Sequence, residues 1–184
     1  MRHDMLEDVA RVLLTAEEIQ KRVVELGAQI SRDYEGKNLV MVSVLKGSVV
    51  FMADLMRAVT VPAEIDFMCV SSYGSGTRTS GQVQILKDIG QDLTGKDLLI
   101  VEDILDSGVT LSYLSKLLWA RNPNSIRLCT LLDKPDRRQA EVQVDYTVFV
   151  IPDEFVIGYG VDYAERYRNL PFIGTLKPEV YQNS

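Results

Sequence analysis

A chain of 184 residues with 46% hydrophobic and 25% charged residues matches one ordinary globular domain. No apolar run reaches the ~18–20 residues of a membrane helix, and the charge-broken N-terminus MRHDMLEDVARVLL is no signal peptide, so cytoplasmic residence is expected and membrane partners are not. The net charge of −6 argues against a nucleic-acid partner.

The elements follow in order. Thr15 and Glu18 form a capping-box signal. Ile19, Val23, Leu26 and Ile30 then repeat at helical spacing, which predicts a helix to about Asp33. NLVMVSVL reads as a buried strand and KGSVVFMADLMRAV as a helix. AEIDFMCVSS and QVQILKD read as strands flanking the polar loop YGSGTRTSG. KDLLIV is a further buried strand, TLSYLSKLLWA a helix, and SIRLCTLL and DYTVFVI the last strands. Cys69 and Cys129 sit in apolar runs and read as buried strand residues, not as a disulfide. With one histidine, they also leave too few ligands for structural zinc. That histidine, His3, lies in a stretch expected to fray, so histidine-based catalysis is not expected.

Strands alternating with helices imply an α/β fold, a mostly parallel sheet with helices on both faces. Continuous apolar runs agree, because parallel strands are buried on both sides. After Ile151 the pattern changes. Pro152, Gly158, Gly160, Pro171, Gly174 and Pro178 forbid a long regular helix, and an irregular flap near the carboxyl edge of the sheet is expected. The whole of 1–184 reads as a single domain, with a core of about 15–150 and a hood of about 151–184.

VEDILDSGVT, from Val101 to Thr110, carries three acids where a buried strand ends. Ligands of open α/β sheets bind beyond such carboxyl ends. Glu102 and Asp103 point to opposite faces if the strand continues, so only one faces a given cleft. Asp106-Ser107-Gly108-Val109-Thr110 opens the next helix, whose free N–H groups suit a phosphate. An N-cap role alone accounts for Asp106 or Ser107. It leaves two further acids on a buried strand unexplained, and such charges cost stability without partners. A P-loop is absent, and GSGTRTSG lacks dinucleotide-loop spacing and lies between two strands.

VEDILDSGVT resembles the phosphoribosyl-diphosphate motif of the type I phosphoribosyltransferases, two acids followed by a D-x-G-x-T loop. VLKGSVVFMADL, LLDKPDRR and IPDEFVIGYGVDYAERYRNLP are similar to the 6-oxopurine branch, the hypoxanthine (hypoxanthine-guanine) phosphoribosyltransferases of bacterial type. The similarity runs from about Thr15 to Lys177. It implies the type I phosphoribosyltransferase fold with a small irregular C-terminal hood and a mobile lid. It also implies Mg²⁺-dependent purine salvage. The 5-phosphoribosyl group of 5-phosphoribosyl 1-diphosphate passes to hypoxanthine or guanine, giving IMP or GMP and diphosphate. A homodimer or homotetramer is implied too.

The resemblance also assigns roles. Asp106, Ser107, Gly108, Val109 and Thr110 would bind the 5′-phosphate, and Asp106 would take the proton from purine N7. Glu102 and Asp103 would hold the ribose hydroxyls, one of them through Mg²⁺, with Asp162 on a second Mg²⁺. Lys46, Gly47 and Arg168 would meet the diphosphate, and the Leu45–Lys46 peptide would be cis. Lys134 would donate to the 6-oxo group, Phe155 would stack on the ring, and the Val156 backbone would meet its edge. Ser72 and Tyr73 would open the lid. Taken alone, Phe155 reads as core, and Lys134 and Arg168 as surface residues. Two other classes compete: a regulator that senses the same diphosphate and binds nucleic acid, and a phospho-acceptor receiver domain. The first calls for a basic face, the second lacks a 5′-phosphate loop, and the transferase fits better.

Overall fold

The computed structural model describes residues 4–72 and 83–181. A 3-10 turn at Met5–Asp8 leads into β1 (Val9–Leu14) and α1 (Ala16–Asp33). The capping box is formed: Glu18 N–H donates to Thr15 Oγ1 at 3.2 Å, and Thr15 N–H to Glu18 Oε2 at 2.8 Å. Beyond it lie β2 (Leu39–Leu45), α2 (Val49–Ala58), β3 (Ala63–Ser72), β4 (Val83–Lys87) and β5 (Asp97–Leu105). Then come α3 (Val109–Trp119), β6 (Ser125–Asp133), β7 (Tyr146–Val150), β8 (Val156–Ile157), β9 (Ile173–Leu176) and the short α4 (Pro178–Tyr181).

The main sheet has the order β4-β3-β2-β5-β6-β7. All its pairings are parallel except β3 with the edge strand β4. Its central strands are apolar on both sides. Leu39, Met41, Leu99, Val101, Cys129 and Leu131 pack with Ile19, Val23, Phe51 and Leu55 of α1 and α2. Val40, Val42, Leu98, Ile100 and Leu128 pack with Leu111, Leu114 and Leu118 of α3. That alternation within unbroken apolar runs is the physical sense of the parallel-sheet pattern.

Three features differ from expectation. β5 does not end at Val101 but runs on to Leu105, because β6 stays paired with it through Glu102↔Thr130, Ile104↔Leu132 and Leu105↔Asp133. The helix expected from Lys46 begins only at Val49. Lys46, Gly47 and Ser48 form a tight turn, where Ser48 Oγ bonds Val44 O and shares a 2.6 Å hydrogen bond with Ser43 Oγ. The Leu45–Lys46 peptide in this turn is cis, as the resemblance implied.

The third difference is at the C-terminal end. β8 and β9 pair antiparallel, and β9 takes β1 as its other neighbour, which makes a small three-stranded sheet. Between β8 and β9 the chain is irregular, with Tyr159, Ala164, Glu165 and Tyr167 at positive φ. Two tyrosines fasten this region. Tyr159 OH donates to Asp54 Oδ2 of α2 at 2.6 Å, and Tyr167 OH to Asp8 Oδ2 at 2.6 Å. Gly160 lies so close to the Gly47 carbonyl that a side chain there would collide with it, which brings the hood onto the β2–α2 turn.

Candidate active site

The site lies past the carboxyl ends of β2, β5 and β6. Because β5 continues through the acids, Glu102 and Asp103 take opposite faces. Glu102 lines a cavity of about 170 Å³ with Val44, Asp106, Ser107, Gly108 and Thr110. Asp103 turns to the other side, where its carboxylate abuts Gly47, and a Cβ on Gly47 would overlap it. Glycine at position 47 is therefore a requirement of space. A larger cavity of about 310 Å³, against α3 and β6 beside Trp119 and Arg127, contains none of the motif residues.

Both acids are costly to ionise where they sit. Burial, with the neighbouring charge of Asp103, raises the Glu102 carboxyl well above its usual range. Burial likewise pushes Asp103 up to about 6, against the opposing pull of the Ile104 N–H and Arg168.

The loop of residues 106–110 turns at Gly108, which caps α3 in the left-handed region at φ 77. Gln139 and Ala140 N–H groups hold the loop from behind, donating to Ser107 O at 2.9 and 3.1 Å. Ser107 Oγ stands 3.4 Å from the Val109 nitrogen. The buried Oδ1 of Asp106 lies 2.9 Å from Arg137 Nε yet has no aligned hydrogen-bond donor among the described residues. An acceptor without a donor is suited to take one from a ligand.

Arg137 carries the site onward. Its Nη1 pairs with Asp153 Oδ1 at 3.2 Å, and Asp153 lies 3.8 Å from Lys134 Nζ. Lys134 is 7% exposed, and its ammonium donates to Glu154 O at 2.6 Å. It is thus no solvated turn residue. Phe155, next in the chain, is 47% exposed, with Tyr163 edge-on at 5.5 Å and Tyr181 stacked at 5.8 Å. The core reading of Phe155 is wrong for this fold, while Val156 beside it is buried in β8.

On the Asp103 side, Arg168 Nη1 donates to Gly160 O at 2.8 Å and its Nη2 pairs with Asp162 Oδ1 at 3.0 Å. Lys46 Nζ donates to Glu165 Oε2 at 3.1 Å, and that bond holds the Glu165 carboxyl below its usual range. No group of three His, Cys, Asp or Glu side chains able to hold a metal occurs among the described residues. Ser72 ends β3, and Tyr73, expected to open a lid, lies outside the described residues.

Sequence reasoning overlooked Arg137, Asp153, Glu165, Tyr163 and Tyr181. Arg137 lies in LLDKPDRR, but no spacing separates it from Arg138, which pairs instead with Asp133.

A parallel sheet carrying an acid pair, a phosphate-type loop and a hood over its carboxyl edge is the type I phosphoribosyltransferase architecture. Residues 12–164 match the model of the phosphoribosyl transferase domain. The chain belongs to that family. It is 57% identical over 181 residues to the hypoxanthine-guanine phosphoribosyltransferase of Mycobacterium tuberculosis, covering 95% of this chain and 90% of that protein. With the Staphylococcus aureus protein of the same name it shares 55% identity over 179 residues, covering 97% of this chain and all of the other. A crystal structure of a Staphylococcus aureus hypoxanthine phosphoribosyltransferase superposes with a TM-score of 0.95 at 55% identity, covering 98% of each chain.

Proposed function

We propose that this protein transfers the 5-phosphoribosyl group of 5-phosphoribosyl 1-diphosphate to hypoxanthine and guanine, giving IMP and GMP with release of diphosphate. The observation that carries the reading is the chain of contacts from Asp106 through Arg137 and Asp153 to Lys134, with exposed Phe155 beside it. It supports one pocket with a proton acceptor, a buried ammonium donor and an aromatic platform, the three groups a 6-oxopurine needs. A carboxylate accepts the N7 proton, an ammonium donates to the 6-oxo group, and the ring stacks.

In this reaction the bond from ribose C1 to diphosphate breaks, the bond from C1 to purine N9 forms, and the N7 proton passes to Asp106. The phosphate loop anchors the 5′-phosphate through Ser107, Thr110 and the backbone N–H groups at the start of α3. Lys46 and Arg168 draw the departing diphosphate, and the lid that the family resemblance implies at Ser72 and Tyr73 would keep water from the electron-poor sugar.

The donor set fits Mg²⁺, a hard ion usually held by one or two carboxylates plus substrate oxygens. Asp103 and Asp162 gather about Arg168, Glu102 faces the phosphate loop, and the raised Asp103 carboxyl has an affinity for positive charge that a cation can satisfy. When bound, Mg²⁺ would supply charge neutralisation to the polyanionic leaving group. No helix among the described residues is long and apolar enough to cross a membrane. A cytoplasmic enzyme is proposed, in a homodimer or homotetramer for which exposed Val49, Met56 and Ile65 supply apolar surface.

Steady-state kcat/KM for hypoxanthine, guanine and xanthine, with 5-phosphoribosyl 1-diphosphate and Mg²⁺, tests this directly. IMP and diphosphate should form in equal amounts, and no turnover with either hypoxanthine or guanine would overturn the reading.

A second expectation concerns stability. Burial raises the Asp103 carboxyl from 3.8 to about 6, with Asp162 adding to the rise and Arg168 opposing it. Well below the unfolded value of 3.8 both folded and unfolded chains hold this proton and the group is neutral in effect. As pH rises toward 6 the unfolded chain ionises first, so the carboxyl destabilises the metal-free fold, fully so above 6. Asp103→Asn should therefore raise the melting temperature in chelator at pH 7.5, by about 2–4 °C for each kcal/mol recovered. The gain should shrink as pH falls and vanish near pH ~3, and a lower melting temperature at pH 7.5 would contradict it.

A further inference from the structure

Glu165 stands between the two cations assigned to the diphosphate. Its Oε2 lies 3.1 Å from Lys46 Nζ and 3.5 Å from Arg168 Nη2. Lys46 comes from the β2–α2 turn, whereas Glu165 and Arg168 come from the hood. The hood backbone is shaped to allow this, with Ala164 and Glu165 at φ 50 and 61 and Tyr163 and Arg166 exchanging backbone hydrogen bonds at 3.2 and 3.0 Å. The turn is held by the Glu165 N–H, which donates to Asp162 Oδ2 at 2.9 Å. The carboxylate does not hold the turn, and its partners among the described residues are Lys46 and Arg168. One oxygen bridging two cations is the contact a diphosphate oxygen would make in the same place.

We propose that Glu165 is a built-in competitor for the diphosphate subsite, occupying Lys46 and Arg168 in the free protein and yielding them when diphosphate enters. The inference rests on the reading of Lys46 and Arg168 given above. The contact is suited to exchange: the Lys46 and Glu165 side chains are 65% and 66% exposed, and exposed pairs of this kind are weak. In the free protein the carboxylate holds Lys46 beside Arg168, which Gly160 O and Asp162 also position. The same carboxylate returns as product diphosphate leaves. Its cost is a lower affinity for both 5-phosphoribosyl 1-diphosphate and diphosphate. Glu165 is on this account a positioning residue that acts through Lys46 and Arg168 and touches no reacting atom.

Calorimetric titration of magnesium diphosphate into the intact protein tests it, with steady-state kinetics alongside. Glu165→Gln keeps the side-chain length and the turn's N–H but removes the charge. It should tighten diphosphate binding by about 3- to 10-fold, the range expected for releasing two weak ion pairs. The KM for 5-phosphoribosyl 1-diphosphate should fall by a similar factor, and the KM for hypoxanthine should stay unchanged. Glu165→Ala should move the same way. Unchanged or weaker diphosphate binding in both variants overturns the inference. Arg168→Gln separates that failure from failure of the site assignment: it should weaken diphosphate binding, and undiminished affinity there overturns the assignment itself.

Discussion

Asp106→Asn should lower kcat by about 10²- to 10⁴-fold, the usual contribution of a positioned general base. The substitution keeps the shape of the side chain and removes its ability to take a proton. Folding should survive, because the loop is held by other groups: Gly108 makes the left-handed turn, and Gln139 and Ala140 donate to Ser107 O. One of the two anionic partners of Arg137 is lost, but Asp153 still pairs with that guanidinium. Phosphate binding should therefore be hurt less than turnover, since the N–H groups at the start of α3 are untouched. Single-turnover measurements isolate the chemical step. An Asp106→Asn protein with near-normal single-turnover rate would remove Asp106 from the role of base.

How much of this was legible beforehand depends on the range of the interaction. Local signals were read correctly where they closed on themselves. Thr15 and Glu18 form their capping box within four residues, and the apolar runs of β2, β5 and β6 split between two faces as parallel strands must. The opposed directions of Glu102 and Asp103 followed from strand geometry alone. The small sheet of β1, β9 and β8 was not legible, because VARVLL carries no pattern that reveals a partner at the far end of the chain. The turn at Lys46-Gly47-Ser48 was taken for helix for a similar reason. What ends β2 there is Ser48 bonding to Ser43 and Val44, and Asp103 from another strand filling the space beside Gly47.

Site residues show the same division. Asp106, Ser107 and Gly108 lie together in one loop and could be weighed as a group. Lys134, Phe155 and Arg168 could be singled out only through the family resemblance, since each alone has an ordinary structural explanation. Arg137, Asp153 and Glu165 lie inside the segments that carry the resemblance, yet neither a local pattern nor the resemblance singled them out. Their roles arise from pairings between a loop and the hood, and such pairings exist only once the chain is folded.

Hypoxanthine should be used about 10⁴- to 10⁵-fold better than adenine, and Lys134 should be the reason. Sites built around a specific hydrogen bond reject a mismatched analogue by as much as that. A lysine ammonium has three donors and no acceptor. One of its donors already goes to Glu154 O at 2.6 Å, and Asp153 lies 3.8 Å away, so the head group is fixed in place. With the residue only 7% exposed, there is little water to mediate between it and a second donor. A 6-oxo group accepts from this ammonium, whereas the 6-amino group of adenine would set donor against donor. Lys134→Ala should shrink the ratio mainly by lowering kcat/KM for hypoxanthine, with adenine little changed. Lys134→Gln, whose amide can present either a donor or an acceptor, should keep the fold and fall between the two. Comparable kcat/KM for adenine and hypoxanthine in the unaltered protein would refute the assignment of Lys134 and, with it, the 6-oxopurine pocket.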